Sequence, residues 1–329
     1  RLDGQPLPPS PQLYVWLVKL ISGLSPEIQT FQARQPAVGS SFLLVLLTAG
    51  WLFIQARRYG RDDGAEPPVE AFALLAGLMV ASSPALFWAG REASGNSMFA
   101  LLYLAAGFCW AESLEARRSF YSGWPWRRWM LLGYALAGLA MLLNGPLLLL
   151  LLWAPYLLAA RSYHLRGLDW IHVAGTLLAL AIGGWWPLEA SRLAAGLPDA
   201  SQVWRDWLTL RAGSELMVRW STAEFLKSVA LGTLPWLLMA AGMALRVWRR
   251  QDRSPTLVFW MWSWTANLAL LTALGSRVGS HPLPLVALTA LLATDAFYRW
   301  NFEDGWARAW RTMLRTALIL SLPAAMFIA

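Results

Sequence analysis

Runs of mostly apolar residues, each near the length that crosses a bilayer, follow one another along this chain at about ten places: 36–56, 71–89, 97–113, 129–143, 146–160, 170–187, 225–248, 256–274, 283–298 and 312–329. A spanning helix needs roughly 20 such residues to cross about 30 Å of hydrocarbon, and it must pair its backbone groups internally. With 57% apolar and only 14% charged residues, a water-soluble core has no room for this much apolar side chain. The expectation is an all-α, polytopic integral membrane protein with about ten transmembrane helices. Runs 129–143 and 146–160 are short and separated only by Asn144 and Gly145, which leaves one bent or re-entrant hairpin open.

Orientation follows from the 27 Lys and Arg, because basic residues are retained on the cytoplasmic side of short loops. Arg57, Arg58 and Arg61 share one loop. Alternate loops then carry Arg117, Arg118, Arg127 and Arg128; Arg161 and Arg166; Arg246, Arg249, Arg250 and Arg253; and Arg299, Arg308, Arg311 and Arg315. Most of the net charge of +8 is thus a topology signal. Basic residues scattered over five loops make no nucleic-acid face. The outward side then owns the N-terminal segment, the 90–96 link, Asn144 with Gly145, the 188–224 loop and the 275–282 link. The chain divides into an outward loop with an interfacial helix (1–35), N-terminal transmembrane helices (36–187), a second outward loop with an amphipathic helix (188–224) and C-terminal transmembrane helices (225–329).

In the first of those loops, Leu13, Trp16, Leu17 and Leu20 recur at helical spacing after a Pro-rich stretch. In the second, Val203, Trp204, Trp207, Leu208 and Arg211 share a face, as in a helix lying along the membrane surface. Many of the 22 Trp fall near helix ends, where amphipathic rings favour the headgroup level. The single cysteine, Cys109, reads as a small buried hydrophobe, and His164, His172 and His281 are too dispersed for a metal site. Arg1-Leu2-Asp3-Gly4 reads as the middle of a loop and Ala329 falls within an apolar run, so residues are expected to be missing at one or both ends.

Several strings, in order along the chain, resemble the GT-C superfamily of polyprenyl-phosphate-sugar-dependent glycosyltransferases, in the branch of aminoarabinose transferases and protein O-mannosyltransferases. They are Asp3-Gly4-Gln5-Pro6 with Pro11-Gln12-Leu13-Tyr14-Val15-Trp16; Ala33-Arg34-Gln35-Pro36-Ala37-Val38; Ser83-Pro84 followed by Arg91; Leu143-Asn144-Gly145-Pro146; and Ser276-Arg277-Val278-Gly279-Ser280-His281-Pro282-Leu283-Pro284-Leu285. The resemblance implies a GT-C-like fold in a membrane, in bacteria the inner membrane, with the active face outward. It also implies chemistry: a loop carboxylate deprotonates an acceptor hydroxyl, which attacks the anomeric carbon of a lipid-phosphate sugar while basic residues hold the phosphate.

This sequence departs from the pattern at the residues that carry those roles. Pro9 and Ser10 stand where the family has an acidic-basic pair, Asn96 where it has an Asp, Asn144 where it has a Lys, and His281 where it has a Tyr. The family's catalytic Asp would lie before Arg1. Arg34, Arg91 and Arg277 remain to hold a phosphate, with Asn96 and Asn144 beside them; anchoring a helix end is the plainer role for Arg34 and an equal alternative for Arg91 and Arg277, and capping a helix or shaping a turn is the plainer role for the two Asn. Glu92 and His281 are the candidate bases. No cofactor follows from the residues; a divalent metal stays open, while no outward carboxylate pair has the spacing of a metal site. Three functions stay in play: a glycosyltransferase with a polyprenyl-phosphate-sugar partner; a non-catalytic relative serving as a structural subunit among other membrane proteins and lipids; and, last, a transporter, which the near absence of midplane ionisable residues disfavours. The polypeptide as given is expected to bind a polyprenyl phosphate without transferring sugar.

Overall fold

A computed structural model describes residues 12–23, 28–59, 69–118, 124–146, 148–165, 168–193, 203–204, 207–208, 222–249, 254–274 and 283–301. Among the described residues the regular structure is helical. A short α1 (Gln12–Ile21) precedes α2 (Thr30–Tyr59), α3 (Val69–Ala81), α4 (Pro84–Arg91), α5 (Asn96–Arg118), α6 (Trp124–Asn144), α7 (Leu148–Ser162) and α8 (Trp170–Leu193). Towards the C-terminus come α9 (Thr222–Thr233), α10 (Leu237–Trp248), α11 (Pro255–Leu274) and α12 (Leu283–Asn301). Val203, Trp204, Trp207 and Leu208 are helical within the predicted surface segment.

Three helices, Thr30–Arg58, Asn96–Arg118 and Trp170–Arg192, are each long and apolar enough to cross a membrane, or five if each bent pair counts as one span, among the described residues. The expected count of about ten is not reached by that measure. Two expected spans are broken. Run 71–89 is α3 and α4, bent by 61° at Ser82 and Ser83, and run 225–248 is α9 and α10, bent by 99°. The reason is in the sequence: Pro84 and Pro235 cannot donate a backbone hydrogen bond, and each biases the residue before it away from the helical region. Trp236 Nε1 donates to Ser82 Oγ at 3.2 Å, so the two breaks meet in space. Runs 129–143 and 146–160 are two separate helices, α6 and α7, joined through Gly145. Gly145 takes a left-handed φ of 70°, and its N–H donates to Met141 O at 2.9 Å, which closes the C-terminus of α6. Run 312–329 lies outside the described residues.

Packing is tightest where α5, α6 and α8 meet. In lipid no hydrophobic force drives helices together, so close approach depends on small residues that let backbones touch. A Cβ on Gly138 of α6 would lie 3.0 Å from Ala179 O of α8, and one on Gly183 would lie 3.1 Å from Gly138 O. The largest wholly buried side chains of the bundle include the aromatic Trp110, Tyr103, Tyr134 and Tyr156. Trp110 packs edge-on to Tyr156 with ring centroids 5.3 Å apart, and Tyr134 lies 4.9 Å from Trp110. Tyr134 OH accepts from Trp153 Nε1 at 2.8 Å and pairs with His172 Nδ1 at 2.9 Å, so its polar end is answered inside the bundle.

The bundle has two chemically distinct ends. Gln55 Nε2 and Arg58 Nη1 donate to buried Glu112 at 2.9 and 2.7 Å, Arg117 Nη1 donates to Tyr156 OH at 2.9 Å, and Thr256 Oγ1 donates to Glu115 at 3.4 Å. These contacts gather the C-termini of α2 and α5 with the N-terminus of α11, as the alternation of basic loops predicts. Asn267 donates to Tyr103 OH further along, so α11 runs antiparallel to α5. With Cys109 replaced, cysteines at Ser191 and Arg249 are expected to label from opposite sides of the membrane. Labelling of both from one side would overturn the assignment of loops to faces.

Candidate functional site

At the opposite end the N-terminal turns of α2 are the organising element. Tyr14 OH of α1 donates to Ala33 O at 2.6 Å, and Ser97 Oγ of α5 donates to Ala37 O at 3.0 Å. One turn further on, Ser41 Oγ lies 3.2 Å from the place where Gly90 of α4 would carry a Cβ. Each contact adjoins a residue singled out from the sequence: Arg34 follows Ala33, Arg91 follows Gly90, and Asn96 precedes Ser97. Helices α2, α4 and α5 therefore bring Arg34, Arg91, Glu92 and Asn96 into one neighbourhood. Burial pushes the Tyr14 phenol up to about 12, so it stays a neutral donor to α2 at any ordinary pH.

Arg34, Arg91 and Glu92 are exposed, and Asn96, the first residue of α5, is half-buried. The Arg91 guanidinium lies over the Phe87 ring at 5.1 Å, a cation–π contact one turn apart on α4. Glu92 follows the last turn of α4, its N–H donating to Trp88 O at 3.2 Å. Ser94 Oγ in the same link is buried with no hydrogen-bond partner among the described residues.

Asn144 reaches this end by another route. It is the last residue of α6, and three residues earlier Met141 O accepts from Trp207 Nε1 at 3.4 Å. Its Nδ2 is buried without a partner among the described residues, which is more than a turn-shaping residue requires. Trp207 is thus turned to the protein's own spans and not to lipid. Trp16 of α1 packs edge-on to Trp185 and Trp186 of α8, with centroids 5.7 and 5.8 Å away. Arg277 and His281 lie outside the described residues, in the link between α11 and α12. No group of three or more His, Cys, Asp or Glu able to hold a metal occurs among the described residues.

The matched sequence falls on this site. Residues 34–197 match the family of dolichyl-phosphate-mannose-protein mannosyltransferases. The chain superimposes on the crystal structure of ArnT from Cupriavidus metallidurans bound to undecaprenyl phosphate, with a TM-score of 0.68 at 20% identity over 96% of this chain and 53% of that one. The chain has an ArnT-like GT-C fold. The apo structure of the same ArnT gives a TM-score of 0.63 at 20% identity, over 94% of this chain and 52% of that one. This GT-C chain thus spans about half the length of the ArnT chain it matches. No curated protein matches it. Of the seven candidates, Arg34, Arg91, Glu92, Asn96 and Asn144 fall inside the matched region, and Arg277 and His281 outside it.

Reading the sequence missed two features of this GT-C chain. The Trp236 to Ser82 contact joins two helix breaks, and Pro235 and Pro84 were the available signals. Ser94 carried no signal, because a serine in a short link is ordinary until its hydroxyl is found buried.

Proposed function

We propose that the chain forms the donor-binding membrane part of a GT-C glycosyltransferase, holding the phosphate of a polyprenyl-phosphate-linked sugar at the outer face of a bacterial inner membrane. The observation that carries this reading is the convergence of Arg34, Arg91 and Asn96 on the first turns of α2, through the Ser97 to Ala37 bond and the Gly90 to Ser41 contact. Two guanidiniums offer bidentate donors to phosphate oxygens. Asn144 and Ser94 add buried polar groups that have no protein partner among the described residues. Arg277, outside the described residues in the α11–α12 link, is the third basic candidate that the sequence offers. Support also comes from the fold shared with a protein crystallised with undecaprenyl phosphate.

In this reading Glu92, one residue from Arg91, is the base that accepts the acceptor's hydroxyl proton, and His281 is the alternative. Undecaprenyl phosphate binding to the purified chain tests the phosphate site. A hydrogen bond to a charged group is worth about 1.5–3 kcal/mol, so Arg91→Ala is expected to weaken binding by roughly tenfold to a hundredfold. Affinity unchanged in Arg34→Ala, Arg91→Ala and Arg277→Ala alike would remove the site.

A second reading is favoured by Asn96 and Asn144 themselves, which replace an acidic and a basic residue of the family pattern. It makes the chain a non-catalytic subunit that keeps the fold and the lipid. Release of undecaprenyl phosphate from a labelled sugar donor separates the two: turnover supports the enzyme, and binding without turnover supports the subunit.

A further inference from the structure

The basic end of the bundle, remote from the candidate phosphate site, carries an arrangement that sugar transfer does not use. Arg117, in the last turn of α5, lays its guanidinium over the indole of Trp126 at 4.6 Å. Arg127, in the first turn of α6, approaches the same ring at 5.4 Å and the Trp170 ring at 5.5 Å. Two cations share one buried indole. Among the described residues neither forms an ion pair with a carboxylate. Arg117 Nη1 donates to Tyr156 OH at 2.9 Å, whereas Arg127 Nε is buried with no partner among the described residues. The carboxylates described nearby accept from neutral donors, Asp169 Oδ1 from the Trp170 N–H at 2.7 Å and Glu115 from Thr256 at 3.4 Å, and among the described residues neither forms an ion pair with Arg117 or Arg127. The first turn of α6 also lacks an acidic residue, although the positive end of a helix dipole favours one. Like charges brought together on one ring, with a buried donor unanswered, call for an anion.

We propose that Arg117 and Arg127 form a site for the phosphate of an anionic phospholipid headgroup on the cytoplasmic face. A lipid fits better than free phosphate because an apolar path leads away from the pair. Trp170, Val173 and Leu177 of α8 are 55%, 65% and 62% exposed and stand on one stripe of that helix, where an acyl chain would run. The site is independent of the sugar-donor reading and survives its failure.

Native mass spectrometry of the detergent-purified chain, titrated separately with phosphatidylglycerol, phosphatidylcholine and inorganic phosphate, tests it. One phosphatidylglycerol is expected to be retained with about tenfold preference over phosphatidylcholine, since a bound phosphate gains two guanidinium contacts that a zwitterionic headgroup partly cancels. Arg117→Ala with Arg127→Ala is expected to abolish that preference, and the Arg→Lys pair to restore part of it by keeping the charge. Because the Lys pair preserves the cations, recovery there distinguishes a lost site from a misfolded chain. Equal retention of the two lipids by the wild type, or a preference unchanged by the Ala pair, overturns the proposal. So does inorganic phosphate that binds in the same Arg-dependent way and as tightly as the lipid.

Discussion

Gly175→Val is expected to pry α6 away from α8 and remove much of the bundle's stability. A Cβ at Gly175 would sit 2.0 Å from Cδ2 of Tyr134 and 2.5 Å from two further atoms of the same ring. The ring cannot swing aside cheaply. Its hydroxyl is tied to His172 and Trp153, the ring is tilted against Trp110 with centroids 4.9 Å apart, and it is wholly buried. Overpacking of this kind costs about 1–3 kcal/mol per inserted group, and displacing Tyr134 would also lose hydrogen bonds worth about 1 kcal/mol each. The single methyl of Gly175→Ala is therefore expected to lower the melting temperature by several degrees, and the branched side chain of Gly175→Val to lower it further. Combining Gly175→Ala with Tyr134→Leu should recover part of the loss, because the two side chains compete for one space. Equal melting of wild type and Gly175→Val in detergent would show that α6 and α8 do not pack as described.

The second large effect is kinetic. Where the labelled donor shows turnover, Glu92→Gln is expected to reduce sugar transfer by a hundredfold to ten-thousandfold, the usual contribution of a general base, while leaving undecaprenyl phosphate affinity within about twofold. Arg91→Ala is expected to act the other way, on binding first. The split matters because neighbouring residues at the end of one helix fail together if the helix end simply unfolds. Loss of turnover and affinity in equal measure in both variants would mark a structural effect and remove Glu92 from the chemistry. Activity that survives Glu92→Gln and disappears in His281→Ala would transfer the base to the α11–α12 link.

Much of the fold was legible because lipid imposes simple rules: apolar length marks helices, and basic loops mark a face. Runs such as 36–56, 97–113 and 170–187 became α2, α5 and α8 for that reason. The breaks in 71–89 and 225–248 were hidden because hydropathy does not register backbone geometry, and Pro84 and Pro235 are apolar enough to be averaged into a span. The candidate site was legible in part. Motif order placed Arg34, Arg91 and Asn96 at helix ends, but only the Ser97 to Ala37 bond and the Gly90 to Ser41 contact bring those ends together. Buried polar atoms at Ser94 and Asn144 had no trace in the sequence, since burial of a single hydroxyl or amide depends on neighbours far along the chain.

The phosphate site itself is reached most directly by titrating the purified chain with undecaprenyl phosphate, for the wild type, Arg91→Ala and Arg57→Ala. Saturable binding weakened at least tenfold by Arg91→Ala and unaffected by Arg57→Ala, exposed in the last turn of α2 at the other end of the bundle, is the predicted result. Binding indifferent to Arg91, or weakened equally by both changes, would contradict a polyprenyl-phosphate site at the α2, α4 and α5 end.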